Sequence, residues 1–507
     1  MSPIYLTTPI YYVNDKPHIG HAYTSLATDV LARWHRLAGR EVFFLTGTDE
    51  HGQKVEKAAQ DAGEEPQVFT DRVSQAFRDL TVTMGFSNDG FIRTTEPRHR
   101  DACQALWKRL EANGAIYLGA YEGWYAVRDE AFYGPDELIE RDGVKYAPSG
   151  APVEWVREPS YFFRLSSWAQ RLLEFHESHP TFVAPASRRN EVLSFLRSGL
   201  TDLSISRTSF RWGVPVPGDD THVMYVWLDA LTNYITAIGY PNENTSEWRF
   251  WPADVHFVGK DILRFHAIYW PAFLMAAELP LPQRVFAHGW WTVEGQKMSK
   301  SMGNAIDPVA LVEEFGLDPV RYFLLREVPF GQDGDFSRGA LINRLNGELA
   351  DVLGNLANRT LSLIQRNCEG KLPNGAAVTE ADAALMSPLS KLTTTVHNLL
   401  EMQQYHLALE EIFSQVRAAN GYITVQAPWA LKKTDPPRMP AVLRHLHTAL
   451  RAYATLLQPF MPGTMAAMLD QLGVPPGARD LASLDTELPG GLSLPVPSPL
   501  FRKVEDA

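Results

Sequence analysis

Apolar residues along the first part of the chain follow two alternating patterns. Short runs rich in β-branched and aromatic residues predict buried strands, and apolar residues at helical spacing predict amphipathic helices between them. The predicted strands are Ile4–Thr8, Glu41–Gly47, Asp254–Gly259 and Arg284–Gly289. The predicted helices span about residues 21–38, 66–85 and 97–113. This alternation predicts an α/β fold with a parallel sheet.

The pattern changes twice further along the chain. Between about Ala115 and Met224 the residues Trp, Tyr, Gly and Pro are frequent and helices are shorter, which indicates a domain inserted into the sheet. From Leu345 the period is helical, and an all-α bundle is predicted. Its apolar stripes lie at 345–366, 382–399, 404–422 and 440–458. An irregular tail rich in Pro, Gly and Leu follows, so the 507 residues form a multidomain protein.

Composition narrows the possible classes of protein. The chain is 45% hydrophobic and 21% charged, which is typical of soluble proteins. Neither a membrane-spanning apolar run nor a signal-peptide pattern is found, so we expect no membrane association. Two distant cysteines, Cys103 and Cys368, suit a reducing cytoplasm. A net charge of −12 argues against broad nonspecific binding of nucleic acid, but it permits a local basic groove.

The tetrapeptide His18–His21 lies between the first predicted strand and the first predicted helix. A helix N-terminus has N–H groups without helical partners and a partial positive charge, so it attracts phosphate. Gly20 permits close approach of a ligand, and two imidazoles one turn apart can donate to one anion. Histidine pairs at this spacing are nevertheless more often ordinary surface or core residues, so this motif alone does not define a site.

Three further features are candidates for ligand contacts. Asp49 follows the second predicted strand, where it could bind a cationic group; a helix N-cap is an equally good interpretation. The loop Gly295–Ser301 carries lysines and serines suited to pyrophosphate, although a solvated basic turn is the simpler reading of this segment alone. Two sets of side chains would each share one helical face: Trp227, Leu231 and Tyr234, and then Ile262, His266 and Trp270. Aromatic residues at this spacing are usually part of the core, so the first set alone does not indicate a pocket.

Together these motifs resemble those of a known family. Pro17–His21 resembles the HIGH signature of class I aminoacyl-tRNA synthetases, and Lys297–Ser301 resembles their KMSKS signature. Five further segments are similar to methionyl-tRNA synthetases: Thr8–Tyr12, Thr48–Gly52, Tyr225–Ala230, Gly259–Ile262 and Gln426–Trp429. The resemblance covers essentially the whole chain.

The resemblance implies a Rossmann-type class I synthetase catalytic domain with an inserted connective domain, followed by an all-α anticodon-binding bundle. The implied catalytic domain comprises residues 1–115 and 225–290. The connective domain would span 116–224, the KMSKS loop and stem-contact region 291–345, and the anticodon-binding domain with the tail 346–507. The implied localisation is cytoplasmic.

The implied reaction ligates L-methionine to tRNA(Met) in two steps. The methionine carboxylate attacks the α-phosphate of ATP, bound with Mg²⁺, and methionyl-adenylate then acylates a terminal ribose hydroxyl of the tRNA. By the resemblance, the catalytic residues are His18, His21, Lys297 and Lys300. The implied ATP contacts also include Gly20, Arg207, Gly259, Asp261 and Ser299. The implied methionine contacts are Pro9, Ile10, Tyr12, Asp49, Trp227, Ala230, Leu231, Tyr234, Ile262, His266 and Trp270.

The resemblance also carries expectations for tRNA and for metal. Asn355, Arg359 and Trp429 match anticodon contacts of the family. Many relatives carry a zinc knuckle in the inserted domain, but the matching positions here are Ala126, Asp129, Ala147 and Gly150. Because one carboxylate cannot complete a tetrahedral site, no structural zinc is expected. A C-terminal tRNA-binding domain that some relatives use to dimerise has no counterpart, so a monomer is expected.

Other functions remain open at this level. The chain could be another class I synthetase, although it lacks room for a long editing insertion and has too few cysteines for a zinc-thiolate site. A cofactor nucleotidyltransferase also uses a His-x-Gly-His phosphate site, but such enzymes are much shorter. A catalytically inactive paralogue that binds tRNA is a third alternative, against which the intact His and Lys motifs argue.

Overall fold

The structure is a computed structural model that describes residues 2–13, 16–129, 131–293, 295–298, 304–375 and 378–505. Its strands are β1 (Ile4–Tyr12), β2 (Val42–Asp49), β3 (Gly90–Arg93), β4 (Ile116–Ala126), β5 (Ala131–Tyr133), β6 (Ile139–Arg141), β7 (Val144–Tyr146), β8 (Glu154–Phe163), β9 (Val183–Ala184), β10 (Leu203–Ser204), β11 (Ser206–Arg207), β12 (Pro215–Val216), β13 (Asp219–Met224), β14 (Val255–Gly259), β15 (Val285–His288), β16 (Trp291–Val293), β17 (Gln296–Lys297) and β18 (Gly334–Phe336).

The α-helices are α1 (Ile19–Leu37), α2 (Gln53–Asp61), α3 (Pro66–Thr83), α4 (Pro97–Ala112), α5 (Ala169–Ser178), α6 (Ala186–Arg197), α7 (Val226–Thr236), α8 (Trp270–Ala276), α9 (Pro308–Phe315), α10 (Leu317–Arg326), α11 (Arg338–Asn343), α12 (Asn355–Asn367), α13 (Glu380–Met386), α14 (Leu389–Glu401), α15 (Tyr405–Gln426), α16 (Pro428–Thr434), α17 (Arg438–Leu457) and α18 (Pro462–Gln471). Two segments, Phe265–Tyr269 and Arg344–Gly354, are π-helical.

A parallel sheet with the strand order β3-β2-β1-β14-β15-β9 forms the centre of the first part of the chain. Each pair in it is parallel, with Ile4 opposite Val42 and His256 opposite Val285 as examples. Because the strands are parallel, the carboxyl ends of β1, β2, β14 and β15 lie at one edge. The α/β fold predicted from the hydrophobic pattern is therefore confirmed, as are the four predicted strands.

The segment predicted as an insertion forms a separate antiparallel sheet in the order β10-β8-β4-β5. Its long hairpin pairs β4 with β8, from Ile116 opposite Phe163 to Tyr125 opposite Glu154. The same segment also contributes to the main sheet, because β9 pairs with β15 as the edge strand. The insertion thus returns to the main sheet before the chain reaches α7.

Helices dominate the chain from Arg338 onward. The predicted apolar stripes correspond to α12, α14, α15 and α17, and the first stripe begins as the π-helical segment 344–354. Residues 486–505, which hold no helix or strand, pack back on the bundle; Leu372 N–H donates to Leu492 O and Leu494 N–H to Gly370 O, both at 2.8 Å. Among the described residues, no helix is both long and apolar enough to cross a membrane.

One continuous core joins the sheet to the bundle. It includes α1 residues such as Leu26 and Val30 together with bundle residues such as Leu409 and Phe413. Tyr405 OH on α15 donates to Ala27 O on α1 at 2.7 Å, and Trp34 Nε1 donates to His397 Nδ1 at 3.0 Å. The helix that begins with the histidine motif is therefore held on one side by the bundle.

Candidate active site

A cavity of about 500 Å³ opens at the edge of the main sheet where its strands end. Its walls come from the ends of β1, β2, β14 and β15, the start of α1, the start of α7 and one turn of the inserted segment. The lining residues are Pro9, Ile10, Tyr11, Tyr12, His18, Gly20, His21, Tyr23, Thr24, Asp49, Lys54, Arg128, Asp129, Val226, Trp227, Gly259, Asp261, Ile262, His288, Gly289, Trp290, Trp291 and Met298.

His18 and His21 are fixed by the helix terminus that they form. His18 is the N-cap of α1 and its Nδ1 accepts from Gly20 N–H at 3.0 Å, while His21 Nδ1 accepts from His18 N–H at 3.0 Å. A ring nitrogen that accepts carries no proton, so the proton of each neutral imidazole lies on Nε2. The caps therefore select the tautomer that can donate through Nε2 to an anion at the cavity.

The opposite wall combines a carboxylate with apolar surface. Asp49 is the last residue of β2 and is 7% exposed, and Lys54 Nζ lies 5.2 Å from the centre of the Tyr12 ring. Trp227 stacks on Phe265 with ring centres 3.7 Å apart and an interplanar angle of 7°. A carboxylate beside an aromatic surface suits a ligand with a cationic group and an apolar side chain.

A second layer of predicted methionine contacts lies in the core next to this wall. Tyr234 OH and His266 Nε2 are 2.7 Å apart, and both rings are fully buried. Burial lowers the pKa of His266 to about 4, so its ring is neutral at physiological pH. The predicted contacts that do not reach the cavity surface are Ala230, Leu231, Tyr234, His266 and Trp270.

The end of β14 gives the cavity its third wall. Trp290 Nε1 donates to Asp261 Oδ1 at 3.1 Å. A Cβ added at Gly259 would lie 2.5 Å from Asp261 Oδ1, so a larger residue would displace that carboxylate. Lys260 Nζ binds Asp333 at 2.6 Å and lies 4.2 Å from the Trp290 ring centre. Gly259, Asp261 and Ile262, for which ligand contacts are predicted, all line the cavity.

The second motif meets the same cavity. Met298, which follows Lys297, lines it together with His18 and His21, and the backbone of Lys297 pairs with Thr292 in the β16–β17 hairpin. Ser299 and Lys300 lie outside the described residues, as does the side chain of Lys297. The two motifs, about 280 positions apart in sequence, are thus neighbours at one cavity.

Arg207, predicted to contact ATP, does not reach the cavity surface. It is 3% exposed, and Nη1 donates to Ser204 Oγ at 2.8 Å and to Ser206 O at 2.7 Å. Its guanidinium lies 4.7 Å from the ring centres of both Phe132 and Tyr225. These contacts hold the side chain in the inserted segment, where it packs between aromatic rings.

Two cationic residues that line the cavity were not predicted. Lys54 lies in the first turn of α2, and Arg128 lies in the turn that follows β4. Lys54 comes five residues after Asp49, so the helical period from Gln53 could have placed it at the same sheet edge. Arg128 depends on how the inserted segment folds over the sheet, for which the sequence carries no local signal.

Two of the four positions that match zinc ligands lie in a small apolar cluster. Ala126 and Ala147 are fully buried there beside Ala151 and Val153, whereas Gly150 is exposed. Asp129 accepts from Tyr133 OH at 2.9 Å and from Ser149 Oγ, and burial together with Asp129 raises the pKa of Tyr133, which keeps it a donor. Apolar packing and these hydrogen bonds stabilise the turn that carries Arg128.

One group of side chains among the described residues has metal-like spacing. His99, Cys103 and Asp229 have ligand atoms within 4.8 Å of one another, and all three are buried. Burial and the Asp229 charge raise the pKa of the Cys103 thiol, which disfavours the thiolate that binds a metal. His99 Nε2 lies 2.7 Å from Asp229 Oδ1, so these two groups are joined by a direct hydrogen bond.

The three predicted anticodon contacts lie in the bundle. Asn355 and Arg359 are one turn apart on α12, and the Arg359 guanidinium is 5.3 Å from the centre of the Trp429 ring. Trp429 is 47% exposed, which is unusual for a large aromatic side chain. An exposed indole beside a guanidinium suits stacking of an unpaired base.

Comparison with known proteins agrees with this geometry. Residues 4–361 match the family model "tRNA synthetases class I (M)", and residues 372–507 match "Anticodon binding domain of methionyl tRNA ligase". The methionine–tRNA ligase of Mesorhizobium japonicum is 57% identical over 98% of this chain and 97% of its own length. That of Rickettsia bellii is 58% identical over 93% and 92%.

Solved structures agree as well. Mycobacterium tuberculosis methionyl-tRNA synthetase in complex with methionyl-adenylate has a TM-score of 0.97 and 49% identity over 99% of this chain and 100% of that chain. Its free form has a TM-score of 0.91 and 45% identity over 100% and 99%.

The parallel sheet, the two motifs at its edge and the matching model define a class I aminoacyl-tRNA synthetase. The helical domain and the full-length relatives narrow this class further. The chain belongs to the methionyl-tRNA synthetase family, and the resemblance seen in the sequence is confirmed.

Proposed function

We propose that this protein activates L-methionine with ATP to give methionyl-adenylate and transfers the methionyl group to tRNA(Met). One observation carries the proposal: His18 and His21 line the same cavity as Met298, Asp49 and Trp227. Anion donors, a carboxylate and an apolar aromatic wall therefore converge on a single space. That set matches the triphosphate, the ammonium and the thioether of the two substrates.

The residues at the cavity are donors and acceptors rather than nucleophiles. In adenylate formation the substrate carboxylate is itself the nucleophile, so positioning and stabilisation of charge on the phosphates supply the catalysis. We assign the Nε2 groups of His18 and His21 to the phosphates, with Lys297 and Lys300 of the second motif as further phosphate donors. ATP is expected to arrive as its Mg²⁺ complex.

Methionine would bind between β2 and α7. Its ammonium would pair with Asp49, and its thioether would lie against Ile10, Trp227 and Ile262. The inner layer of Tyr234 and His266 would support this wall without polar contact to the thioether. A polarizable sulfur packs well against aromatic rings. The adenosine would lie beside Gly259 and Asp261.

The domain limits, the anticodon contacts and the absence of zinc are proposed from where the residues concerned lie in the sequence and the fold. We propose the domain limits predicted from the sequence, with the anticodon of tRNA(Met) read by Asn355, Arg359 and Trp429. We also propose that the protein holds no structural zinc, because Ala126, Ala147 and Gly150 offer no ligand atom in their side chains. A monomer in the cytoplasm is proposed, and sedimentation of the purified protein would test the oligomeric state.

ATP–pyrophosphate exchange with each amino acid in turn tests this function, followed by aminoacylation of tRNA(Met). We expect methionine to support exchange far better than cysteine, leucine, isoleucine or valine. Preference for one of those amino acids would assign another class I synthetase. Binding of tRNA without exchange for any amino acid would favour the inactive paralogue.

A further inference from the structure

The loop that carries the ammonium-binding candidate is joined to the helix that carries the aromatic wall by a buried hydrogen bond. His51 follows Asp49 by two residues, and its Nδ1 lies 2.7 Å from Asp229 Oδ2. Asp229 lies in the first turn of α7, two residues after Trp227. Asp229 is fully buried and His51 is 8% exposed, so this contact is shielded from water.

A second imidazole fixes the other side of Asp229. His99 on α4 is fully buried, and its Nε2 lies 2.7 Å from Asp229 Oδ1. The Nδ1 of His99 is 3.1 Å from Thr236 Oγ1 at the far end of α7. Both carboxylate oxygens of Asp229 thus have an imidazole partner, and α4 holds α7 at two points.

The Asp229 carboxylate is kept ionised by its two imidazole partners. Burial alone would raise the pKa of Asp229, but His51 and His99 hold it well below its usual range. An ionised carboxylate in the protein interior needs such partners, since removal of one leaves a desolvated charge. The geometry of the unit, with two bonds of 2.7 Å, is what this balance requires.

The neighbouring residue in the loop is held by a different set of contacts. Arg93 binds both oxygens of Glu50 at 2.7 and 2.9 Å, and Trp212 Nε1 donates to Glu50 O at 2.5 Å. These contacts join the loop to β3 and to the inserted segment. Unlike these contacts, the contact of His51 with Asp229 joins the loop directly to α7.

We propose that His51, Asp229 and His99 form a positioning unit that sets the distance between the Asp49 carboxylate and the Trp227 wall, and so sets the affinity for methionine. None of the three lines the cavity, so they act through residues that do. This inference rests on the proposed function, because it needs Asp49 to bind the substrate ammonium. The proposal thus gives residues that do not line the cavity a part in recognising the amino acid.

The test compares variants in ATP–pyrophosphate exchange, with the Michaelis constants for methionine and ATP measured separately. We expect His51→Ala to raise the KM for methionine about tenfold, because a shift below 1 Å in a binding group is costly. The KM for ATP and kcat should stay within about twofold. His51→Gln, whose amide can still donate to Asp229, should restore most of the affinity.

A matched control variant separates an effect of His51 on the methionine site from a general loss of stability. His447 in the bundle is also a buried histidine, with Nε2 2.8 Å from Leu472 O. His447→Ala should lower the melting temperature without a change in either KM. If His51→Ala does the same, the residue is merely structural and the inference is wrong. Should His51→Ala fail to fold, Asp229→Asn replaces it, with the same rise in KM for methionine expected.

The variant Asp49→Asn serves as the reference, because it removes the proposed ammonium contact directly and should raise the KM for methionine. If Asp49→Asn has no effect, the proposed ammonium site is wrong, whatever His51 does. If Asp49→Asn raises the KM but His51→Ala and Asp229→Asn leave it unchanged, only the positioning unit is wrong. The two failures therefore give different patterns of KM.

Discussion

His18 both caps α1 and offers a candidate phosphate donor, and one substitution can separate these two roles. Its Nδ1 caps the helix by accepting from Gly20 N–H, and its Nε2 is the candidate phosphate donor. Asparagine is a favoured N-cap whose side-chain oxygen can accept the same N–H, but it has no group at the position of Nε2.

We therefore expect His18→Asn to keep the thermal stability of the wild type and to slow adenylate formation by ~10²-fold, the usual loss when one transition-state donor is removed. His18→Ala is the control, since it loses the cap as well and should also lower the melting temperature. Pyrophosphate exchange and thermal unfolding measure the two effects. Exchange by His18→Asn within a few-fold of wild type would reject the phosphate role.

Asp254 gives a prediction about pH. Its Oδ2 accepts from Tyr5 N–H at 2.8 Å, and burial raises the pKa of this carboxyl from 3.8 to about 6. Well below pH 3.8 the group is protonated in both the folded and the unfolded chain, so it adds no penalty. As pH rises from 3.8 to about 6, the unfolded chain ionises this carboxyl before the folded chain does, so stability is lost, and above about pH 6 the loss is complete.

We expect Asp254→Asn to raise the free energy of unfolding by about 2 to 3 kcal/mol at pH 7.5 and by little at pH 4. The amide oxygen can accept the same bond from Tyr5. Urea unfolding at the two pH values measures this, with the exposed Asp485→Asn as control. A gain that is equal at both pH values would show that the carboxylate is not the cause.

At the residue scale, the sequence could predict side chains whose place follows from a strand end. Asp49, which ends β2, and His18, which follows β1, line the cavity for this reason, whereas Trp227 and Ile262 are expected there only from the family resemblance. The sequence could not distinguish residues that line the cavity from buried residues behind its wall, such as Tyr234 and His266. It also could not show that Arg207 packs between Phe132 and Tyr225, because those rings come from distant segments.

At the scale of elements, strong periodicity was the useful signal. Helices α3 and α4 match the predicted ranges 66–85 and 97–113 within a few residues. The edge strand β9 could not be predicted, since Val183–Ala184 is too short for any period and depends on β15 for its partner. The π-helical segments 265–269 and 344–354 could not be predicted either, because the predictions rest only on the strand period and the α-helical period.

The turn after β4 gives a prediction about metal. Its apolar cluster and the bonds from Tyr133 and Ser149 to Asp129 lie at the positions that the family resemblance matches to zinc ligands. We expect elemental analysis of the purified protein to find well below one zinc per chain. Dialysis against a chelator should leave both the melting temperature and pyrophosphate exchange unchanged. Stoichiometric zinc, or activity lost to the chelator and restored by zinc, would contradict this.

At the scale of the whole molecule, Arg321 joins the catalytic part to the bundle. This fully buried side chain on α10 donates to Asp29 Oδ2 on α1 at 2.7 Å. It also donates to Met84 O after α3 and to Pro459 O and Phe460 O after α17, at 2.8 to 3.0 Å. Its partners come from three separate parts of the sequence, so no local pattern could have predicted a buried arginine there.

Removal of this guanidinium leaves Asp29 buried with one cation fewer and leaves three carbonyl groups without their donor. We expect Arg321→Met to lower the free energy of unfolding by about 3 to 5 kcal/mol, as for other broken buried ion pairs. Arg338→Met, which breaks the exposed pair with Glu314, should cost at most about 1 kcal/mol. Urea unfolding followed by tryptophan fluorescence compares the two.

The double variant Asp29→Asn with Arg321→Met separates the effect of the unpaired Asp29 charge from the effect of the lost contacts to carbonyl groups. Because the carboxylate is then absent, part of the loss caused by Arg321→Met should be recovered, and the two substitutions should be strongly non-additive. Additive losses would mean that the contacts of Arg321 with the carbonyl groups of Met84, Pro459 and Phe460 carry its effect. In that case the bundle would be held to α1 mainly by the apolar core and by the bonds of Tyr405 and Trp34.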